Sequence, residues 1–453
     1  MLNNGQNLLS VSPIDGRYQK DTKDLSLYFS ELALMRYRLI IEVEYFISLS
    51  YILQIKKVPQ LSVREQAFLR SLYKNFNILD AEMIKEIEKT TNHDVKAIEY
   101  FFKDKIKGTP LFAYAEFIHF ALTSEDVNNL AYSLMWKHGV EKVFLPVLHE
   151  VFDSISNFAK KHASQPMLAL THGQPATPTT VGKEFIVFAK RIERQIKQLE
   201  NQKYLGKFGG ATGTWAAHNI TYPDVNWISF SSSFITRLGL EPNLYTIQIE
   251  SHDSLAESFD IMRRVNTILI DFCRDVWMYI SRGVLAQKRK EGEVGSSTMP
   301  HKINPISFEN AEGNLGIANA YFSHLSEKLP ISRMQRDLSD STVLRNQGVA
   351  LAHSLLACKN ILKGMERIDI NEYKLVEELD NHPEILAEAI QTVLRKVGYN
   401  NPYEKLKELT RGKEITLESI RKFINDLYID EEHKKRLLEL SPRTYIGMAN
   451  KMV

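Results

Sequence analysis

Between Pro242 and Pro300 the chain carries no proline, and Leu255, Phe259, Met262, Val265, Leu269, Phe272, Val276, Tyr279 and Val284 recur mostly every three or four residues. That spacing follows the helical turn and predicts one long helix over 253–288, capped by Asp253 and roughly 50 Å long. A second apolar face, made of Phe185, Phe188, Ile192, Ile196 and Leu199, predicts a helix over 183–204, and a third is expected over 306–328. Helices of that length need long neighbours. Shorter, more charged helices are expected over 30–51 and 63–76 ahead of them, and over 372–380 and 383–397 behind. Alternating runs rich in Val, Ile and Thr are scarce, so no substantial sheet is expected. The pattern describes an all-α fold with a central bundle of very long helices. With 453 residues, the chain is too long for one ordinary core, and three consecutive helical domains are expected: 1–111, 112–364 and 365–453.

Charge narrows the function. Lys plus Arg number 57 against 55 Asp plus Glu, a net charge of +2. That balance argues against a dedicated nucleic-acid binder and leaves room for a local basic pocket that takes a small anion. The two cysteines, Cys273 and Cys358, lie in apolar helical contexts and read as buried thiols of a reducing, cytoplasmic protein. Residues 1–10 lack the basic and apolar regions of a secretory signal. The longest stretch without a charged residue, 163–182, is broken by Pro166, Pro175 and Pro178, so it is no membrane span and reads as backbone lining a buried pocket.

Five segments carry candidate chemistry. In Gly295-Ser296-Ser297-Thr298-Met299-Pro300-His301-Lys302-Ile303-Asn304-Pro305, glycine frees the backbone while two prolines stiffen the later half of the segment. Serine is a poor base in water, and a functional Ser296 requires amide hydrogens and positive charge nearby, which Lys302 and Asn304 offer; the alternative is a polar surface loop. The second segment, Thr171-His172-Gly173-Gln174-Pro175-Ala176-Thr177-Pro178, places a histidine able to give a proton to a leaving group within a polar setting; a lone structural histidine is the alternative.

The third, Asn92-His93-Asp94, reads as a substrate-facing histidine held by a carboxylate, as a solvated helix start, or as half of a metal site. No HExxH or paired-cysteine pattern accompanies it, so no metal is expected. Thr123-Ser124-Glu125-Asp126 reads as a helix N-terminus, either simply capped or offering free amide hydrogens to a carboxylate or phosphate. The fifth comprises Arg17-Tyr18 and the group Arg333, Arg336, Ser341, Thr342 and Arg345. Ser341 and Arg345 stand one helical turn apart, suited to share a phosphate or to form a salt-bridged face.

The eleven-residue string from Gly295 matches the signature of the fumarase/aspartase superfamily. With the motifs TNHDVKA, HFALTSEDVNN, THGQPATP and DSTVLRN in order, the chain resembles the bacterial branch of the adenylosuccinate lyase family from Ser12 to Gly447. The resemblance implies a homotetramer of long-helix bundles with each active site shared by three subunits. It also implies β-elimination of fumarate from two purine nucleotides, adenylosuccinate and SAICAR, without a cofactor and without nucleic-acid or membrane partners. It makes Ser296 the general base and His172 the general acid. Substrate contacts are implied for Arg17, Tyr18, Asn92, His93, Asp94, Thr123, Ser124, Thr171, Gln248, Ser297, Lys302, Asn304, Asn310, Arg336, Ser341, Thr342 and Arg345. The glycines of the signature segment predict a loop over 285–300 that closes on substrate. Thr212, where relatives often carry valine, and Ser251, in place of a proline, depart from the family pattern without touching a proton-transfer group.

Overall fold

The computed structural model describes residues 8–288, 299, 302–410 and 415–453. Helices dominate, and the three longest-patterned segments become Val181–Glu200, Asp253–Arg282 and Ile306–Lys328. The predicted helix over 253–288 ends six residues early. Gly283 takes φ +80°, and the amide of Val284 bonds back to the carbonyl of Tyr279 at 3.1 Å, a left-handed C-terminal cap that a residue with a Cβ resists. The chain then pairs as Leu285–Gln287 with Ile368–Ile370. Asp253 is the first helical residue and not the cap.

Caps elsewhere follow local chemistry. Ser30 Oγ accepts from the amide of Ala33 at 3.1 Å and opens Glu31–Leu49, while Ser62 and Glu65 form a reciprocal capping box that opens Val63–Lys74. The segment 383–397 splits into a 3₁₀ turn, Pro383–Leu386, and the helix Ala387–Lys396.

Packing divides the chain into two units, each discontinuous in sequence. The first comprises Met1–Leu148, Gln195–Thr267 and Gly313–Lys359; the second comprises His149–Arg194, Ile268–Glu312 and Asn360–Val453.

In the first unit, Leu39, Val43 and Phe46 of one helix pack on Ile98, Phe101 and Phe102 of another, all buried. Trp136 sits edge-on to Phe259 and Phe322, at 4.8 and 6.0 Å, and its indole donates to Ser258 Oγ at 2.8 Å. Burial of each such aromatic contributes about 1.5–3 kcal/mol, and the indole avoids an unmade hydrogen bond. In the second unit Phe158, Phe185, Phe188 and Phe272 form an aromatic cluster, and Leu386, Ile390, Leu394, Ile420 and Ile424 a separate core.

The uncharged run over 163–182 is largely strand. It forms an antiparallel hairpin, Pro166–Thr171 with Gln174–Thr180, whose strand residue Leu168 is buried against Leu379 and Ile385. Strand pairing satisfies the backbone where no charged side chain is present to do so. Among the described residues the one further pairing is Leu205–Gly206 with Glu241–Pro242. No described helix is long and apolar enough to cross a membrane.

Candidate active site

In the first unit a closed ring of contacts is built on Asp126, a fully buried carboxylate near the start of the helix Ser124–Gly139. Its Oδ2 accepts from the amide of Thr123 at 2.9 Å; its Oδ1 accepts from the amide of Gly209 at 2.9 Å and from Lys207 Nζ at 2.7 Å. Lys207 is equally buried and also donates to the carbonyl of Gly210 at 2.6 Å. Such a pair is tolerable out of water only because nearly every lone pair and proton is used. From that loop the carbonyl of Ala211 accepts from Gln248 Nε2 at 3.2 Å, and the amide of Gln248 donates to the carbonyl of Gln335 at 3.3 Å. Arg336 then closes the ring through its Nη1, 3.2 Å from Glu125 Oε2 and 3.0 Å from Asp340 Oδ2. Asp340 Oδ1 accepts the amide of Ser341 at 2.7 Å. Thr123, Ser124, Gln248, Arg336 and Ser341 are thereby tied into one structure.

A second cluster in the same unit joins Asp94 and Arg345. Asp94 Oδ2 receives Arg38 at 2.8 Å and Arg345 at 3.2 Å, and Arg345 Nη1 lies 2.8 Å from Glu31. Burial acts to raise the Asp94 carboxyl, and the two guanidiniums outweigh it and hold it below its ordinary value. His93 is not held by that carboxylate. It is exposed, and its Nδ1 caps the helix Asp94–Ile106 by accepting the amide of Lys96 at 3.1 Å; Asn92 takes the left-handed turn before it, with φ 48°. Arg17 is exposed, 5.8 Å from the Tyr18 ring centroid, on a turn closed by the Tyr18 amide and the Pro13 carbonyl. Thr342 lies in the helix Ser339–Leu344.

The second unit holds Thr171 and His172. Thr171 pairs with Gln174, which leaves His172 and Gly173 as a two-residue turn with φ 53° and 73°. Two successive left-handed residues define the turn whose twist matches a hairpin. Glycine takes that conformation freely; histidine adopts it against steric resistance, and its imidazole stands exposed at the tip. Among the described residues no side chain hydrogen-bonds the His172 ring, so the polar setting expected around it is not built by these residues. The hairpin's base is fixed: Thr177 Oγ1 donates to Glu388, and Arg282 bonds the carbonyl of Leu168 at 3.2 Å and Glu378 at 2.6 Å. Lys302 is exposed and Asn304 half-buried, just ahead of Ile306–Lys328. Asn310 accepts from Asn360 at 2.9 Å. Ser296, Ser297 and most of the expected closing loop lie outside the described residues.

Glu125, Asp126, Lys207, His252 and Asp340 do not stand out in the sequence as functional. Glu125 and Asp126 carry only a helix-start signal, and nothing local marks His252. Among the described residues Glu125, His252 and Asp340 bring possible metal ligands within 4.8 Å of one another. The Arg336 guanidinium already occupies both carboxylates, so the charge a metal would supply is provided by the chain.

The architecture is that of the fumarate lyase superfamily. It superposes on a 3-carboxy-cis,cis-muconate lactonizing enzyme from Pseudomonas putida with a TM-score of 0.73, at 19% identity over 95% of this chain and 94% of that one. A fumarate lyase from Mesorhizobium gives 0.73 at 18% identity, covering 95% and 96%. Residues 16–318 match the family described as Lyase, and residues 332–446 match Adenylosuccinate lyase C-terminal. The chain belongs to the adenylosuccinate lyase family: it is 51% identical to the adenylosuccinate lyase of Haemophilus influenzae over 98% of both chains, and 50% identical to that of Escherichia coli K12 over the same shares. The Dictyostelium discoideum enzyme is 50% identical over 98% of this chain and 97% of its own.

Proposed function

We propose that this lyase eliminates fumarate from adenylosuccinate to give AMP, and from SAICAR to give AICAR, with Ser296 as general base and His172 as general acid. Ser296 removes the proton from the carbon beside a succinyl carboxylate. Negative charge builds on that carboxylate, and Lys302, Asn304 and the Thr123–Ser124 helix start are the donors suited to stabilise it. The C–N bond then breaks, its electron pair leaves with nitrogen, and His172 supplies the proton that nitrogen needs. Arg17, Arg336, Ser341 and Arg345 take the anionic ends of the substrate, while Gln248, Asn92 and His93 orient it; Tyr18, Asp94, Thr171, Ser297, Asn310 and Thr342 complete the contacts.

The observation that carries this reading is the exposed left-handed turn at Thr171–Gln174. It maintains backbone strain to hold an imidazole at a hairpin tip, a strain with no structural benefit in an isolated chain. It also supports active sites completed by neighbouring subunits of a homotetramer built from the three helical domains 1–111, 112–364 and 365–453. Val187, Trp277, Met278 and Ile317 on the long helices are exposed apolar side chains of the kind an oligomer covers. The two buried thiols, Cys273 and Cys358, fit a cytoplasmic setting.

The test is incubation of purified protein with adenylosuccinate, with direct detection of fumarate and AMP. Formation of both in equal amounts is expected; fumarate released only from a substrate without a phosphate would overturn the nucleotide assignment. Mixing His172→Gln with Ser296→Ala subunits is expected to restore part of the activity that each lacks alone, and no recovery would count against shared sites.

A further inference from the structure

Four ionisable side chains meet behind the substrate-facing positions of the first unit, and the elimination uses none of the three buried ones. Glu125, His252 and Asp340 are 3%, 1% and 3% exposed, and all three sit next to a proposed contact or within a few residues of one. Glu125 follows Ser124, Asp340 precedes Ser341, and His252 lies four residues after Gln248. Arg336 reaches into the group with one nitrogen, Nη1, which meets both carboxylates. Its Nε and Nη2 make no hydrogen bond to any described residue, so one edge of the guanidinium is held and the other is left for a ligand.

The charges do not balance when all the acids are ionised. Two carboxylates face one guanidinium, and His252 Nε2 lies 3.7 Å from Asp340 Oδ2, beyond hydrogen-bond range. Glu125 Oε1 and His252 Nε2 are both buried without a hydrogen-bond partner, a costly arrangement unless protons or water fill the gap. His252 is locked in place: it takes φ 61°, and its amide donates to Glu250 Oε2 at 2.7 Å, whose other oxygen accepts from Asn243 at 2.9 Å. The nearby Lys207 is committed to Asp126.

We propose that Glu125, His252 and Asp340 form a proton-adjustable cradle that positions Arg336 for a substrate oxyanion, and that substrate binding is accompanied by uptake of a proton into this cradle. The reason is electrostatic. When the free edge of Arg336 engages an anion, the guanidinium compensates the buried carboxylates less well, and a proton drawn from solvent replaces what is lost. The proton returns to solvent when product leaves. Burial already pushes the Glu125 carboxyl up to about 7, against the pull of Arg336 and His252, so it can accept that proton near neutral pH. Burial likewise acts to raise Asp340, but His252 and Arg336 hold it below its ordinary value, which makes Asp340 the fixed anion of the group.

The inference rests on the assignment of Arg336 to the substrate, and calorimetry separates the two. Adenylosuccinate is titrated at pH 7 into the His172→Gln enzyme, in two buffers of different ionisation enthalpy, so that the heat difference counts protons taken up. An uptake of up to about half a proton is expected, because a carboxyl near its midpoint is already half occupied. The count should fall towards zero when Glu125→Gln is added, with affinity for adenylosuccinate changed by less than about tenfold. An unchanged proton count in the folded double variant would overturn the cradle while leaving the function intact; no binding to the parent would overturn the functional assignment instead. Should the Glu125 variant fail to fold by circular dichroism, His252→Gln provides the same reading, and a proton count equal to the parent's there would also overturn the proposal.

Discussion

The two units solve opposite problems. The first ties its polar side chains into charge-paired networks: buried Asp126 with Lys207 and three backbone amides, Arg336 with buried Glu125 and Asp340, and the more exposed Asp94 with Arg38 and Arg345. The second presents His172 on an exposed turn whose stiffness comes from strand pairing and a fixed base, with no polar network around the ring among the described residues. Recognition of an anion gains from donors oriented before the ligand arrives, because their ordering is already complete. Proton transfer to a leaving group needs a titratable group that solvent and substrate can reach. The contrast implies that damage to the first unit appears as lost stability or affinity, and damage at the hairpin tip as lost turnover.

The sharpest way to break that contrast is at His172. Replacing it with Gln is expected to lower kcat by ~10²–10⁴, the usual share of a general acid. Arg345→Gln is expected to raise KM ~10- to 100-fold by removing a charge-assisted bond, with kcat largely kept; steady-state kinetics on both variants reads the split. Lys207→Met, which leaves Asp126 buried and unpaired, should cost about 3–5 kcal/mol in a denaturant titration. No loss there would mean that water reaches the ring.

A pH series sharpens the comparison further. Glu125 has a folded pKa of about 7 against an ordinary 4.5, so the native state keeps a proton that the unfolded chain releases. Stability from this group is present below about 4.5 and falls as pH rises to about 7, by about 3 kcal/mol in all. Denaturation of Glu125→Gln between pH 5 and 7.5 should lack that fall, and a slope equal to the parent's would contradict the burial argument. Smallest is Gly173→Ala. Its Cβ would meet nothing within 4 Å, so only the left-handed φ of 73° is penalised, by about 1–2 kcal/mol. A larger loss in melting experiments would reveal contacts at the tip that this chain alone does not make.

How much of this the sequence disclosed depended on the range of the interaction. Helix 306–328 is legible to the residue, because its apolar spacing is a local property. The end of the 253–282 helix is obscured although Gly283 marks it, since Val284 keeps the apolar period running past the cap. The hairpin is hidden for a related reason. Freedom from charge over 163–182 suggests a buried lining, while the His172-Gly173 turn between Pro166–Thr171 and Gln174–Thr180 places its tip in solvent.

The ring in the first unit lies beyond local reading. Asp126 meets Gly209 across 83 positions of sequence, and Glu125 looks from its neighbours like an ordinary acid at a helix start. Motif resemblance names Thr123, Ser124, Gln248 and Arg336 as contacts but gives no reason for them to stand together. The buried acids and His252 supply that reason.

The division of labour is tested most directly by the equilibrium affinity of His172→Gln for adenylosuccinate, measured beside its turnover. Affinity within about threefold of the parent, with turnover lost, is the expected result. Affinity falling in step with turnover would contradict the account, because it would make the hairpin tip part of recognition.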